Sequence, residues 1–189
     1  MEPGVLIGLA ILVAALAANV YAYNRFVAQR TSIDAAWAGI DVELQRRHDL
    51  VPNLVSSVQG YAAHERGVFA EVVEARSRAV ASVAPTVPVG EQARAEDALT
   101  ERLTGLLVLA ENYPQLRADR VFLDLQRQLV ETEDRLSASR RLYNLEVAAY
   151  ERRRQSFPSN LIASSFGFES RSMFEILDDA ARHAPHVRT

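Results

Sequence analysis

The sequence predicts an all-α protein with an N-terminal transmembrane helix followed by an antiparallel four-helix-type bundle of long helices. Three observations favour this fold. The chain opens with an uncharged apolar segment, most of the remainder places apolar residues three and four positions apart, and no stretch alternates as a strand does. A length of 189 residues suits one domain plus an appendage. We therefore expect a single span at 1–23, a bundle domain at 24–174 and a short tail at 175–189.

The N-terminal segment is predicted to cross the membrane once. No residue from Pro3 to Asn24 is charged, and Val5 to Ala18 is apolar throughout apart from Gly8. A helix of about 20 residues rises ~30 Å, which matches the hydrocarbon thickness of a bilayer. Contact with the lipid bilayer is therefore expected along residues 4–23.

A cleaved signal peptide is the competing interpretation of this segment, with Ala15-Leu16-Ala17 as a small-residue cleavage site. Signal peptides begin with a basic region, whereas this chain begins Met1-Glu2-Pro3-Gly4, so the sequence favours an anchor. Arg25 and Arg30 lie just after the span. The positive-inside rule therefore predicts that the bundle is cytoplasmic and that the N-terminus is outside.

Composition and charge exclude several classes of function. The net charge of −3 gives no field that attracts polyanions, so nucleic-acid binding is not expected. The chain has no lysine, and arginine stays charged when partly buried and binds carboxylates through paired hydrogen bonds. The absence of cysteine excludes disulfides, thiolate metal sites and a cysteine nucleophile.

The first soluble helix is predicted to start near Asn24 and to run towards Val83, kinked but continuous at Pro52. Apolar residues follow two interleaved seven-residue tracks on one face of this helix. The tracks are Ile33, Ile40, Arg47, Leu54 and Tyr61, and Trp37, Leu44, Val51, Val58 and Glu65. The phase is the same on both sides of the proline, which favours a kink over a break. Beyond it, the buried face is expected to continue through Phe69, Val72, Val73 and Val80.

Arg47 and Glu65 are the two charged residues in these tracks, at positions where a neighbouring helix should pack. A desolvated charge is costly unless it is paired. We therefore predict that Arg47 pairs with a carboxylate inside the bundle.

Two further long helices are predicted after a proline-rich loop at 84–90. The first spans about Glu91–Asn112 and buries a stripe of Leu99, Leu103, Leu106 and Ala110. Asp119 is the expected N-terminal cap of the second. The buried seam of that helix comprises Phe122, Leu125, Leu129, Thr132, Leu136, Ser139, Tyr143, Val147 and Tyr150. The helix is expected to end at 156–160, and Phe166-Gly167-Phe168 to fold back over the bundle.

No motif predicts catalysis, a cofactor or a metal site. A di-iron bundle needs Glu-x-x-His on facing helices, but the residue three before each of His48 and His64 is not glutamate. His183-x-x-His186, behind Asp178-Asp179, is a loose metal-binding candidate in the predicted tail. No Gly-x-Ser-x-Gly elbow or glycine-rich phosphate loop is present. We expect that the protein is not an enzyme.

A polar stripe lies beside the apolar seam of the first helix. Its members fall within about 60° of one another around the helix axis, and they are Arg46, Asp49, Asn53, Gly60 and His64. Three interpretations stay open: an internal polar network that joins Arg47 and Glu65 to Asn-Tyr elements of other helices, a groove that recognises a partner or peptide, or a solvent-exposed face. The candidate residues for a polar network or partner face are Asp41, Arg46, Arg47, Asp49, Asn53, Tyr61, His64, Glu65, Glu111, Asn112, Tyr113, Tyr143 and Asn144.

Ordered motifs along most of the chain resemble one known family. In the first helix they are YNRFV at 23–27, AW at 36–37, IDV at 40–42, RR at 46–47, DLVPNLV at 49–55, GYA at 60–62 and HE at 64–65. Further on they are AENYP at 110–114, TE at 132–133, YN at 143–144, FP at 157–158 and FGF at 166–168. Together they resemble the LemA family up to about Phe174. Asp134 departs from the asparagine that is usual there, and Tyr150-Glu151 departs from an aromatic-Asn pair.

The resemblance implies a bacterial single-pass membrane protein with a helical-bundle domain and no established catalytic mechanism, cofactor or active-site residues. We expect a scaffold or adaptor in the bacterial cytoplasmic (inner) membrane that contacts one or more protein partners there. The alternative is a ligand-binding or sensory module that uses a polar cleft between helices.

Overall fold

The computed structural model describes residues 3–84 and 86–174, and this part of the chain is helical with no strand. Within these ranges the helices are α1 Pro3–Gln59, α2 Arg66–Ser82, α3 Val89–Ala110, α4 Pro114–Arg117, α5 Arg120–Gln155 and α6 Ser159–Ser165. The all-α prediction is confirmed. The predicted tail at 175–189, with its His183-x-x-His186 pair, lies outside the described residues.

The chain divides into two compact units. The anchor unit comprises residues 3–39 and 139–173, and the bundle unit comprises residues 40–138 together with Phe174, as far as these are described. Because the boundaries fall inside α1 and α5, each of these two helices contributes residues to both units. The long helical segments of the bundle unit are therefore the second part of α1, all of α2 and α3, and the first part of α5.

The first part of α1 has the properties of a membrane-spanning helix. Its most apolar 18 residues have a mean hydropathy of 2.4, and none of them is buried within the protein. Val5, Leu9 and Val13 are 63%, 55% and 57% exposed. Among the described residues, α1 is the one helix long and apolar enough to cross a bilayer.

The predicted continuation of the first helix to Val83 is wrong. α1 ends at Gln59, and a turn at 60–65 leads into α2. Gly60, a weak helix former, occupies the first position of this turn. The N–H groups of the next two residues both donate to the carbonyl of Val58, at 3.0 Å each, and so end the regular helical pattern. The chain therefore separates its first two rods at the glycine and not at the proline.

The turn also changes which residues of the following helix are buried. Phe69 and Val72 are buried, as predicted, but Val73 and Val80 are 51% and 45% exposed. The expectation that all four lie on the buried face assumed one uninterrupted helix. Once α2 starts separately, its buried face is set by its own packing in the bundle unit.

Pro52 is accommodated inside α1 because another helix replaces a missing hydrogen bond. Proline has no N–H, so the carbonyl of His48, four residues earlier, lacks its usual helical donor. The Nε of Arg76 in α2 donates to this carbonyl at 2.7 Å. α2 therefore completes the hydrogen bonding of α1 at the proline.

The bundle unit has a continuous apolar core to which all four of its long segments contribute. Val51 and Leu54 come from α1, Val72 from α2, Leu103 from α3 and Leu129 from α5. The predicted stripe of α3 is fully buried, and so are the seam residues of α5 up to Leu136. Short connections between successive long helices are typical of an antiparallel bundle, which is the predicted architecture.

Asp119 caps the start of α5, as predicted. Its Oδ1 accepts hydrogen bonds from the backbone N–H groups of Val121 and Phe122 at 2.8 and 3.0 Å. Its Oδ2 accepts a hydrogen bond from the hydroxyl of Tyr61 at 3.0 Å. These donors lower the pKa of Asp119, the Phe122 amide most strongly. The cap thus also holds the turn between α1 and α2.

In the anchor unit, α5 packs antiparallel to α1 through aromatic pairs. Ring centroids of Trp37 and Tyr143 are 5.1 Å apart, and those of Phe26 and Tyr150 are 5.9 Å apart. Phe168 stacks on Phe26 with a centroid distance of 4.7 Å. The aromatic residues that follow α6 therefore fold back onto α1, as the sequence predicted for them.

Candidate functional site

Arg47 is completely buried in the bundle unit and is held by side chains from two other helices. Its guanidinium binds the carboxylates of Glu96 in α3 and Glu133 in α5, the latter at 2.8 Å from Nη1. Nη1 also donates to Oγ1 of Thr100 at 2.9 Å, and Nη2 donates to the backbone carbonyl of Glu96 at 3.3 Å. The predicted pairing of Arg47 with an internal carboxylate is confirmed, and it cross-links three helices.

Glu96 is a second fully buried charge, and it is shared between two consecutive residues of α1. Its Oε2 binds Arg47, and its Oε1 lies 2.9 Å from Nε2 of His48, which is also buried. The side chain of Glu133 is 35% exposed, so the group reaches solvent on the α5 side. We call these residues the Arg47 cluster: Arg47, His48, Glu96, Thr100 and Glu133.

The buried charges of the Arg47 cluster stabilise one another. Burial alone lowers the pKa of Arg47, but the negative charges of Glu96 and Glu133 outweigh it and raise the pKa above its ordinary value. Burial alone raises the pKa of Glu96, but the hydrogen bond from His48 and the charge of Arg47 outweigh it and lower the pKa. Both charged forms are therefore favoured in the folded state.

The geometry of the Arg47 cluster suits structural cross-linking. Both amino groups of Arg47 already hold protein acceptors, and both carboxylate oxygens of Glu96 already have protein partners. A buried charge that is paired and hydrogen-bonded in this way is tolerated, whereas removal of one partner leaves the other uncompensated. The cluster therefore ties α1, α3 and α5 together inside the bundle unit.

We expect the contribution of Glu96 to stability to disappear in acid. Because its folded-state pKa lies below the ordinary value of 4.5, its charge stabilises the fold above that pH and loses this effect as the pH falls through the folded pKa. The difference in unfolding free energy between the wild type and Glu96→Gln should therefore be full at neutral pH and shrink in acid. Chemical denaturation in detergent micelles, followed by circular dichroism over a pH series, measures it.

Glu101→Gln is the matched control for this experiment, since Glu101 is an exposed carboxylate on the same helix. A Glu96→Gln difference that stays constant from neutral pH into acid, like that of the control, would contradict the assignment of Glu96 as a paired buried charge.

The structure places much of the predicted polar stripe in solvent. Asp49, Asn53 and His64 are exposed, and Oδ1 of Asp49 accepts a hydrogen bond from the Gln45 side chain at 2.9 Å. Arg46 is half-buried, and its Nη2 lies 3.8 Å from a carboxylate oxygen of Glu131 in α5.

The Arg47 cluster does not contain the residues that were predicted to form an internal network with Arg47. Glu65 is half-buried in the turn after α1 and is not part of the Arg47 cluster. Tyr61 is 43% exposed and donates to Asp119, which raises the pKa of its hydroxyl. Asp41 is half-buried on α1 in the bundle unit.

The remaining predicted residues lie at the end of α3 and in the anchor unit. Glu111 and Asn112 are exposed just after α3, and Tyr113 packs against the core of the bundle unit. Tyr143 and Asn144 belong to the anchor unit. Tyr143 is buried, which raises its pKa, and its hydroxyl donates to the carbonyl of Ser172 at 2.9 Å.

Sequence reasoning missed four members of the Arg47 cluster: His48, Glu96, Thr100 and Glu133. A signal for Glu96 was present in the chain. Gln92 and Glu96 precede Leu99 and Leu103 at spacings of four, three and four, so they continue the buried stripe of α3 towards its N-terminus. Both polar residues are indeed buried.

Open grooves are present on the bundle unit. One, of about 430 Å³, is lined by Glu111, Arg117 and Phe122 among others, and another, of about 450 Å³, by Ser82, Glu91 and Arg94 among others. Within residues 3–84 and 86–174, no group of three or more histidine, aspartate or glutamate side chains is placed to hold a metal ion.

The family of the chain follows from its match over residues 36–188 to the LemA family. That match covers most of the chain, including α2 to α6 and the whole Arg47 cluster. The chain belongs to the LemA family. It is a helical protein of that family with an N-terminal helix suited to a membrane.

Several known proteins are similar to this chain at low identity. Magnetosome protein MamQ 2 of Paramagnetospirillum magneticum is 25% identical, in an alignment that covers 87% of this LemA-family chain and 68% of MamQ 2. Magnetosome protein MamQ of Magnetospirillum gryphiswaldense is 24% identical, over 84% of this chain and 66% of its own. Protein LemA of Metamycoplasma hominis is 22% identical, over 80% and 68%.

Proposed function

We propose that this LemA-family protein is a membrane-anchored helical scaffold or adaptor of the bacterial inner membrane, with its bundle on the cytoplasmic side. The observation that carries the proposal is the continuity of α1, which is unbroken from Pro3 to Gln59. The same helix is apolar and exposed at its start and contributes buried residues such as Phe26, Ile33 and Leu54 further along. Such a helix suits a protein that presents a folded body at the bilayer.

The Arg47 cluster supports a scaffold because its charged groups bind each other, although Nε of Arg47 is buried without a hydrogen-bond partner among the described residues. An enzyme or receptor site keeps polar groups available to a ligand, whereas the amino groups of Arg47 and the carboxylate of Glu96 are already occupied. The ion pairs of the cluster hold three helices of the bundle unit together.

One face of α1 in the bundle unit is available to a protein partner. Val42, Arg46, Asp49 and Asn53 fall on the same side of the helix at 100° per residue. Val42 is 65% exposed, and Asp49 and Asn53 are exposed as well. We call these four residues the partner face, and we propose that a protein partner contacts Val42 and the polar side chains beside it.

Membrane anchoring is tested on the full chain expressed in bacteria. We expect an intact mass that retains the N-terminal segment, retention in the membrane fraction after alkaline extraction, and fluorescence of a C-terminal fluorescent-protein fusion together with an inactive alkaline phosphatase fusion. A mass that corresponds to cleavage near Ala17 would instead establish a signal peptide and overturn the anchor. An active phosphatase fusion would reverse the orientation.

The partner face is tested by photo-crosslinking in cells. A photoreactive amino acid at Asn53 should give a discrete crosslinked species that the same residue at Glu101, an exposed position on α3, does not give. Asp49→Arg should weaken that crosslink without lowering the amount of protein in the membrane. Identical products from both positions would count against a partner on this face.

A further inference from the structure

We propose that the segment Phe157–Phe166, which comprises the turn after α5 and helix α6, lies in the headgroup region of the bilayer as a second membrane contact of the anchor unit. The inference rests on the proposed membrane anchor at the start of α1. It adds a lipid surface as the partner of a different part of the chain.

The segment exposes three large apolar side chains in ten residues. Phe157 is 80% exposed, Leu161 57% and Phe166 58%, while Ile162 and Ala163 between them are buried. Three large exposed apolar side chains in so short a segment point to an interaction site. A short amphipathic element with bulky apolar residues on its outer side is suited to lie in the interface of a membrane.

Aromatic contacts fix the depth of this segment relative to the span. The ring of Phe166 lies 5.0 Å from that of Tyr23, and the ring of Phe168 lies 5.6 Å from it. Tyr23 stands at the end of the uncharged part of α1, and tyrosine is enriched at the level of the lipid headgroups. The helical rise from Pro3 to Tyr23 is ~30 Å, one hydrocarbon thickness. Phe166 therefore sits where the span leaves the hydrocarbon.

Arginine side chains at the end of α5 lie near the same depth in the membrane. Since α5 runs antiparallel to α1 and Tyr150 faces Phe26, the run Arg152-Arg153-Arg154 continues from Tyr150 towards the end of the span. Of this run, Arg154 is paired with Glu151 at 2.8 Å. Arginines near the surface of a membrane are attracted to anionic lipids.

The amino-acid sequences of the two units differ in net charge. Residues 3–39 and 139–173 contain eight arginines and four acidic residues, a net charge of +4 with neutral histidine. Residues 40–138 contain eleven arginines and sixteen acidic residues, a net charge of −5. Positive charge is therefore concentrated in the unit that carries the span.

These observations favour lipid over a second copy of the chain as the occupant of this surface. Phe166 continues the apolar surface of the span through its contact with Tyr23, and the bilayer is the apolar medium already required at that level. A protein partner would have to compete with the lipid for the same apolar side chains.

The chain has no cysteine, so single-cysteine variants place a spin label at one position each. We would label Phe157→Cys, Leu161→Cys and Phe166→Cys in the full chain, reconstituted at one copy per nanodisc of mixed phosphatidylcholine and phosphatidylglycerol. Collisions with oxygen report lipid, and collisions with a water-soluble nickel chelate report solvent. Leu142→Cys is the matched control, since Leu142 is 52% exposed and lies beside Tyr143, away from the span.

We expect the ratio of oxygen to nickel accessibility to be higher at the three positions of the segment than at Leu142. Labels that are as open to nickel as the Leu142 label would overturn the inference. Protection that develops only with two copies per disc would assign the surface to self-association and overturn it as well. Val13→Cys separates this inference from the anchor, because a label at Val13 that is open to nickel would show that the span itself is not in the bilayer.

Discussion

Replacing Arg47 with alanine is expected to lower the free energy of unfolding by about 3–5 kcal/mol, because Glu96 would remain as a buried charge without its arginine. The cavity left by the side chain adds to this loss, since Arg47 is among the largest fully buried side chains. Urea denaturation of the full chain in detergent micelles, followed by circular dichroism, measures the change.

Arg46→Ala is the control for the Arg47 experiment. Arg46 is the preceding residue on the same helix, and its long 3.8 Å pair with Glu131 is partly exposed. A surface pair of this kind contributes less than about 1 kcal/mol. Arg47→Met combined with Glu96→Gln should recover part of the stability, because the uncompensated charge is then gone. If Arg47→Ala cost no more than Arg46→Ala, the Arg47 cluster would not hold the bundle unit together.

The second large effect is expected at the proline of α1. Arg76→Met should lower the free energy of unfolding by about 1–3 kcal/mol, since the carbonyl of His48 would lose its donor and stay unpaired. In a Pro52→Ala background the new alanine N–H can donate to that carbonyl. Arg76→Met should therefore cost clearly less there, and a double-mutant cycle measures the difference.

Arg78→Met is the matched control for this cycle. Arg78 lies two residues further along α2, is largely exposed and pairs with Glu74 on the same helix at 3.1 Å. Its substitution should have the same small effect with proline or alanine at position 52. An Arg76→Met loss that does not depend on the residue at 52 would mean that the carbonyl of His48 is not what Arg76 stabilises.

The prediction that the first soluble helix runs to Val83 failed because the local sequence pattern and the tertiary packing favour different helix ends. The seven-residue pattern continues through Pro52 and Gly60, and pattern alone gives no reason to stop. Part of the cost of a proline in a helix is the carbonyl that it leaves without a donor, and Arg76 pairs that carbonyl here. The turn begins instead at Gly60, which is a weak helix former.

Local properties of the chain follow from its amino-acid sequence alone. Hydropathy marks the first part of α1 as a span, spacing marks the buried stripes of α3 and α5, and Asp119 caps a helix through its nearest amides. The isolated charge of Arg47 in an apolar seam also required a carboxylate, because a desolvated charge without a partner is too costly.

Which carboxylates meet Arg47 depends on how distant segments pack. Glu96 and Glu133 lie 49 and 86 residues from Arg47 along the chain, and many acidic residues were equally available to it in the sequence. The contact of Phe166 with Tyr23 and the bond of Arg76 to His48 are long-range in the same way. Periodicity shows which face of a helix is buried, but only the packing of whole helices shows what that face meets.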